Sequence, residues 1–221
     1  MAADKLLDGP RRDPASGAAP SSLVVFLHGL GADGADLIAL AEPLAQVLPD
    51  TAFVSPDAPF PCDMAPMGRQ WFSLQSRGVE DMLAGARSAA PYVNAFLNAE
   101  LERNGLSADR LALVGFSQGT MMSLFCALRR PQAVAGVVGF SGLLIAPEIL
   151  PAEIVSKPPV VLVHGTDDPV VPFAAMAAAE AGLSAAGVSV SSHGRPGLPH
   201  GIDPGGLQLA ANALTTWLKP T

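Results

Sequence analysis

Only two cysteines, Cys62 and Cys126, occur in 221 residues. That is too few for a disulfide framework, and neither has metal-ligand spacing. A chain of this length buries enough apolar surface to fold without such staples. Cys126 lies in an apolar helical stretch and reads as a core residue, while Cys62, in a Pro-rich loop, reads as a free thiol. Basic residues are scarce as well: 13 Lys and Arg stand against 20 Asp and Glu, a formal net charge of −7. Tracking nucleic-acid phosphates needs the opposite sign, and an anionic membrane surface repels such a chain. No apolar run comes near the roughly 20 residues that span a bilayer. Residues 1–22, MAADKLLDGPRRDPASGAAPSS, have charges and prolines where a secretory signal has an apolar stretch. The expectation is a cytoplasmic protein with reduced thiols, no nucleic-acid partner and no stable membrane insertion. Internal repeats and heptads are absent too.

What the chain does have is apolar character, 49% of residues against 15% charged, which sets it apart from disordered chains. The apolar residues fall into short runs that alternate with helical spacing. Leu23–Leu27, Ala52–Ser55, Leu111–Phe116, Val134–Phe140, Val160–His164 and Val188–Ser192 read as strands. Asp36–Leu48, Glu80–Asn104, Ser117–Arg129, Phe173–Ala186 and Gly205–Leu218 read as helices, with Pro91 expected to kink or divide the second. Between Pro56 and Val79 lies a long loop with four prolines, and a loop of that length inside a compact domain is usually functional. The predicted fold class is α/β: a mostly parallel central sheet with helices on both faces. Residues 23–221 read as a single domain, preceded by a tail or edge hairpin at 1–22. In such sheets, sites form in the loops after the carboxyl ends of strands.

One of those loops carries Gly115-Phe116-Ser117-Gln118-Gly119, which fits G-x-S-x-G. The pattern gains weight from its place between a predicted strand and a predicted helix. A nucleophile on so sharp a turn has strained dihedrals, and side chains two residues to either side would collide, so glycine is required there. The helix N-terminus then aims its free N–H groups at a developing oxyanion. Ser117 is thus the candidate nucleophile. Ser141, in Gly139-Phe140-Ser141-Gly142-Leu143, lacks the second glycine and reads as a strand-end residue near the pocket floor. A serine nucleophile needs a base and an orienting acid, expected in the chain order Ser, acid, His. Asp167 and Asp168 both follow a strand, and chemistry alone does not choose between them. Among four histidines, His28 and His164 read as packed turn residues and His193 as the end of the last strand. His200, between that strand and the last helix, is the candidate base. The loop His28-Gly29-Leu30-Gly31 offers the Leu30 N–H as a second oxyanion donor beside that of Gln118. It matches neither a dinucleotide nor a P-loop fingerprint. Met64, Met67, Trp71 and Phe72 in the long loop, with Leu143, Val170 and Val171, are candidate substrate-pocket walls.

These residues resemble the phospholipase/carboxylesterase family, which includes acyl-protein thioesterases. The landmarks are L-H-G-L-G-A-D-G at 27–34, Q-W-F at 70–72, G-F-S-Q-G at 115–119, H-G-T-D-D-P-V-V-P at 164–172 and P-H-G-I at 199–202. The resemblance spans about residues 23–218 and implies an α/β-hydrolase fold without a large cap domain. It implies a Ser117–Asp168–His200 triad, choosing the aspartate before the proline, and Leu30 and Gln118 as oxyanion donors. Thr166 replaces the first aspartate of the family's usual His-Gly-Asp-x-Asp-Pro.

The expected activity is that of a serine carboxylesterase acting on short- to medium-chain esters, with no cofactor and no metal. Alternatives are an acyl-protein thioesterase or lysophospholipase using the same residues, and a non-catalytic ligand-binding module on the same fold. The expected partner is a small-molecule ester, and a homodimer is left open.

Overall fold

A computed structural model of the chain describes residues 6–219; residues 1–5 of the expected N-terminal tail lie outside the described residues. The chain begins with β1 (Arg11–Arg12), β2 (Ser22–Leu27), the short helices α1 (Gly34–Ile38) and α2 (Ala41–Ala45), and β3 (Thr51–Val54). A two-stranded ribbon of β4 (Phe60–Pro61) and β5 (Arg69–Gln70) precedes the long helix α3 (Val79–Asn104). There follow β6 (Leu111–Phe116), α4 (Gln118–Ala127), β7 (Gly136–Phe140), α5 (Leu150–Glu153) and β8 (Val160–Gly165). The chain closes with α6 (Ala174–Ala185), β9 (Val190–Arg195) and α7 (Pro204–Trp217). The main sheet runs β1-β3-β2-β6-β7-β8-β9 and is parallel except where β1 pairs antiparallel with β3 at one edge. Among the described residues no helix is long and apolar enough to cross a membrane.

Strand side chains alternate between two buried layers. Leu23, Val25 and Leu27 of β2 join Phe96 of α3, Met122 of α4 and Leu183 of α6 on one face. Val24 and Phe26 join Leu37, Leu44 and Leu214 of α1, α2 and α7 on the other. Burying each such large side chain is worth about 1.5–3 kcal/mol, so both faces hold their helices firmly.

Two of the predicted helices differ from the sequence expectation at a proline. The predicted helix over 36–48 is divided into α1 and α2, because Pro43 has no N–H for the Ala39 carbonyl. Pro91 does not divide α3, which is continuous over 26 residues. Its ring lies on the exposed face, where the unbonded Arg87 carbonyl meets water, while Ala86, Ala89, Val93, Phe96 and Leu97 anchor the helix on both sides. The long loop contains the β4–β5 ribbon, and β9 runs on to Arg195 in register with Gly165, so His193 sits within the strand rather than at its end.

The sheet order places the site. From β2 the chain moves to β3 on one side, while β6 pairs with β2 on the other, Leu27 opposite Gly115. Strand order reverses at that point, and the loops after β2 and β6 open into a shared crevice.

Candidate active site

Ser117 caps α4 with φ 53° and ψ −116°, a conformation that non-glycine residues rarely adopt. Holding it costs on the order of 1–3 kcal/mol, which the surroundings must offset. The Ser117 N–H donates to the Phe140 carbonyl at 2.8 Å, and its own carbonyl accepts from the Thr120 N–H at 3.0 Å. The flanking glycines are required sterically. A Cβ on Gly115 would lie 2.5 Å from the Thr120 Cα, and one on Gly119 would lie 1.7 Å from the Leu27 carbonyl oxygen. That oxygen belongs to a central strand and has nowhere to move. Gly119→Ala is therefore expected to cost about 3 kcal/mol, lowering Tm by roughly 6–12 °C. A melt within about 2 °C of wild type would show the turn to be less tight than described.

His200 Nδ1 lies 2.7 Å from Asp168 Oδ2. The Asp168 side chain is fully buried, and that of His200 is 17% exposed. The other carboxylate oxygen accepts from the N–H groups of Val170 and Val171 at 2.8 and 2.9 Å. Burial pushes the Asp168 carboxyl up, but the hydrogen bonds from His200, Val171 and Val170 prevail and hold it below the usual carboxylate range. An ionised Asp168 fixes the proton of His200 on Nδ1 and leaves Nε2 as the basic nitrogen. Asp167 faces solvent and accepts from Thr166 Oγ1 at 2.8 Å. Thr166 also ties the two loops together, since its Oγ1 accepts from the Gly197 N–H at 2.9 Å. A Cβ on Gly165 would stand 2.1 Å from the Leu198 carbonyl, so glycine allows this close approach. The loop bearing His200 is closed at its base by Arg195 and Asp203, 2.8 Å apart.

The loop after β2 packs on the turn at Ser117: a Cβ on Gly29 would meet the Phe116 ring at 3.2 Å and Ser117 Cβ at 3.4 Å. The Gly31 N–H donates to Arg69 O and the Ala32 N–H to Gly29 O, while the Leu30 N–H just before them has no backbone acceptor among the described residues. The Gln118 N–H opens α4 and likewise has no acceptor within the helix. The Gln118 side chain is fully buried, with Oε1 accepting from the Trp71 N–H at 3.0 Å and Nε2 donating to the Phe72 carbonyl at 2.7 Å.

A cavity of about 450 Å³ opens beside these groups, lined by Ser117 and His200 together with Leu30, Phe116 and Met121. Leu143, Val170 and Val171, expected at the wall, line it as well, as does Met64. The other wall candidates do not. Trp71 is wholly buried beneath the loop after β2, its Nε1–H donating to the His28 carbonyl at 2.9 Å. Phe72 is also buried outside the lining, against Gly85 of α3, and Met67 projects into solvent at 81% exposure. Nor does Ser141 line the cavity, although it was expected near the floor; it is buried behind β7 with φ 47°. The sequence reading passed over Phe116, Met121, Leu74, Arg77 and Met82, all part of the lining. Met121 was reachable, standing four residues after Ser117 on one helix face; Arg77 carried no such signal.

The remaining histidines do not line the cavity. His28 Nε2 accepts from the Ala58 N–H at 3.0 Å, so Nδ1 carries the proton and donates to the Gly29 carbonyl at 2.7 Å. Burial holds its pKa below the ordinary value. His164 is buried, its Nε2 3.0 Å from the Val171 carbonyl and 3.3 Å from Asp168 Oδ2.

Residues 14–218 match the family model described as Phospholipase/Carboxylesterase. Esterase YpfH of Escherichia coli (strain K12) is 30% identical over 192 residues, covering 87% of this chain and 81% of that protein. Acyl-protein thioesterase 1 of Neurospora crassa is 30% identical over 199 residues, covering 81% and 80%. Among solved structures, that of esterase PE8 superposes with a TM-score of 0.92 at 44% identity, covering 97% of this chain and 100% of that one.

Proposed function

Because the chain belongs to the phospholipase/carboxylesterase family, we propose that it is a serine carboxylesterase hydrolysing short- to medium-chain carboxylic esters through Ser117, His200 and Asp168. One observation carries this reading: the part-buried Asp168–His200 hydrogen bond at a cavity that the strained Ser117 also lines.

In the first half-reaction Ser117 Oγ attacks the ester carbonyl carbon while His200 Nε2 takes its proton. Asp168, held ionised, stabilises the imidazolium that forms. The Leu30 and Gln118 N–H groups receive the negative charge on the carbonyl oxygen. Collapse of the tetrahedral intermediate breaks the bond to the alcohol, which leaves with the proton from His200. Water, deprotonated by the same imidazole, then cleaves the acyl-enzyme and returns Ser117 with its proton. The apolar wall of Met64, Met121, Leu143 and Val171 takes the acyl chain. The free, buried Cys62 and Cys126 accord with a cytoplasmic setting.

The name of the Neurospora crassa relative favours a second reading, hydrolysis of acyl thioesters. An acyl-chain series with matched oxygen esters and thioesters separates the two. The first reading expects kcat/KM to peak on short or medium oxygen esters, and a maximum on long acyl thioesters would replace it with the second. A fluorophosphonate probe is expected to label Ser117; failure to form that adduct in folded protein would leave only a non-catalytic module.

A further inference from the structure

Among the residues lining the cavity, Arg77 alone carries a formal charge. It stands with Met64, Leu74 and Met82, and the only other titratable side chain of the lining is His200. Among the described residues no carboxylate lines the cavity. Elsewhere Arg11, Arg87, Arg103, Arg129 and Arg195 each sit against an Asp or Glu, and Arg69, Arg110 and Arg130 donate to carbonyl or amide oxygens. Arg77, among the described residues, is in no salt bridge and no side-chain hydrogen bond. Asp81, in the first turn of α3, accepts from Ser76 Oγ. The segment that presents Arg77 is tethered at both ends, by the Gln118–Phe72 hydrogen bond and by the start of α3.

A protein with a net charge of −7 thus keeps one exposed, unneutralised guanidinium on the wall of a mostly apolar cavity. Low-dielectric walls focus the field of such a charge on whatever enters. The planar fork of a guanidinium matches a carboxylate in two parallel hydrogen bonds. With no second cation in the lining, one carboxylate is the fitting partner rather than a doubly charged phosphate.

We propose that Arg77 is an anion subsite, and that the cavity prefers esters whose acyl chain ends in a carboxylate, the half-esters of dicarboxylic acids. The proposal rests on the reading of the cavity as an ester site. The test compares mono-p-nitrophenyl adipate with p-nitrophenyl hexanoate, and the suberate half-ester with the octanoate, which match in chain length. In at least one pair the charged ester is expected to have the higher kcat/KM by about twofold to fivefold at low salt, as befits an exposed ion pair. Added salt should shrink that ratio. Arg77→Gln is expected to bring the ratio to unity or below, and Arg77→Lys to restore part of it. If both esters of each pair are hydrolysed with the same ratio in wild type and Arg77→Gln, the anion subsite is wrong and the ester reading stands. If no ester is hydrolysed and no fluorophosphonate adduct forms, both fall together.

Discussion

Ser117→Ala is expected to lower kcat/KM for a chromogenic acetate by about 10⁴-fold or more, the scale seen when a serine nucleophile is removed. The substitution deletes a single oxygen. That oxygen caps no helix N–H, so its loss orphans no buried group, and Ala is no more strained than Ser at φ 53°. The Phe140 carbonyl keeps its bond to the N–H of residue 117. Stability should therefore be retained while activity vanishes, and a thermal melt beside the kinetics separates the two. Ser141→Ala is the matched control. Ser141 also has a positive φ and stands at the end of a neighbouring strand, but its Oγ is buried without a partner among the described residues and outside the cavity. Loss of activity in Ser141→Ala with retention in Ser117→Ala would reverse the assignment.

The difference between those serines was legible in the sequence, and the reason is steric. Gly119 must approach the Leu27 carbonyl so closely that no side chain fits, whereas the equivalent position after Ser141 is Leu143. Backbone constraints of that kind appear in sequence as glycines at fixed offsets. The strand runs were legible for a related reason, since a sheet buried on both faces admits few polar residues. Direction was not legible. Trp71, Phe72 and Met67 have the composition of a pocket wall, yet two of them turn into the core and the third into water. The Q-W-F landmark is instead the docking strip for the Gln118 side chain, a relation between segments far apart in the chain. The two prolines differ likewise through tertiary packing. Long apolar flanks hold α3 together across Pro91, while Pro43 interrupts a segment with too few residues on either side to do so.

Asp168→Asn and Asp167→Asn together test the choice that local chemistry left open. Asp168→Asn is expected to lower kcat about 10³–10⁴-fold, the effect of presenting the wrong histidine tautomer to the nucleophile. Asn keeps an oxygen for the Val170 and Val171 N–H groups, so the loop retains its geometry. The other carboxylate oxygen, 2.7 Å from His200 Nδ1, becomes an NH₂ donor. Nδ1 must then accept, the ring proton moves to Nε2, and the base can no longer take a proton from Ser117. The exchange also removes the negative charge that would stabilise the imidazolium inside a buried site, where no water replaces it. His164 Nε2, 3.3 Å from the same oxygen, meets the same NH₂ and offers it no acceptor. At Asp167 the side chain is exposed and bonded only to Thr166 Oγ1, so Asp167→Asn should stay within about threefold of wild type, as expected for a surface change away from the chemistry. Parallel kinetics on the two variants decide the matter, since a larger loss in Asp167→Asn, or Asp168→Asn within about tenfold of wild type, would detach Asp168 from the reaction.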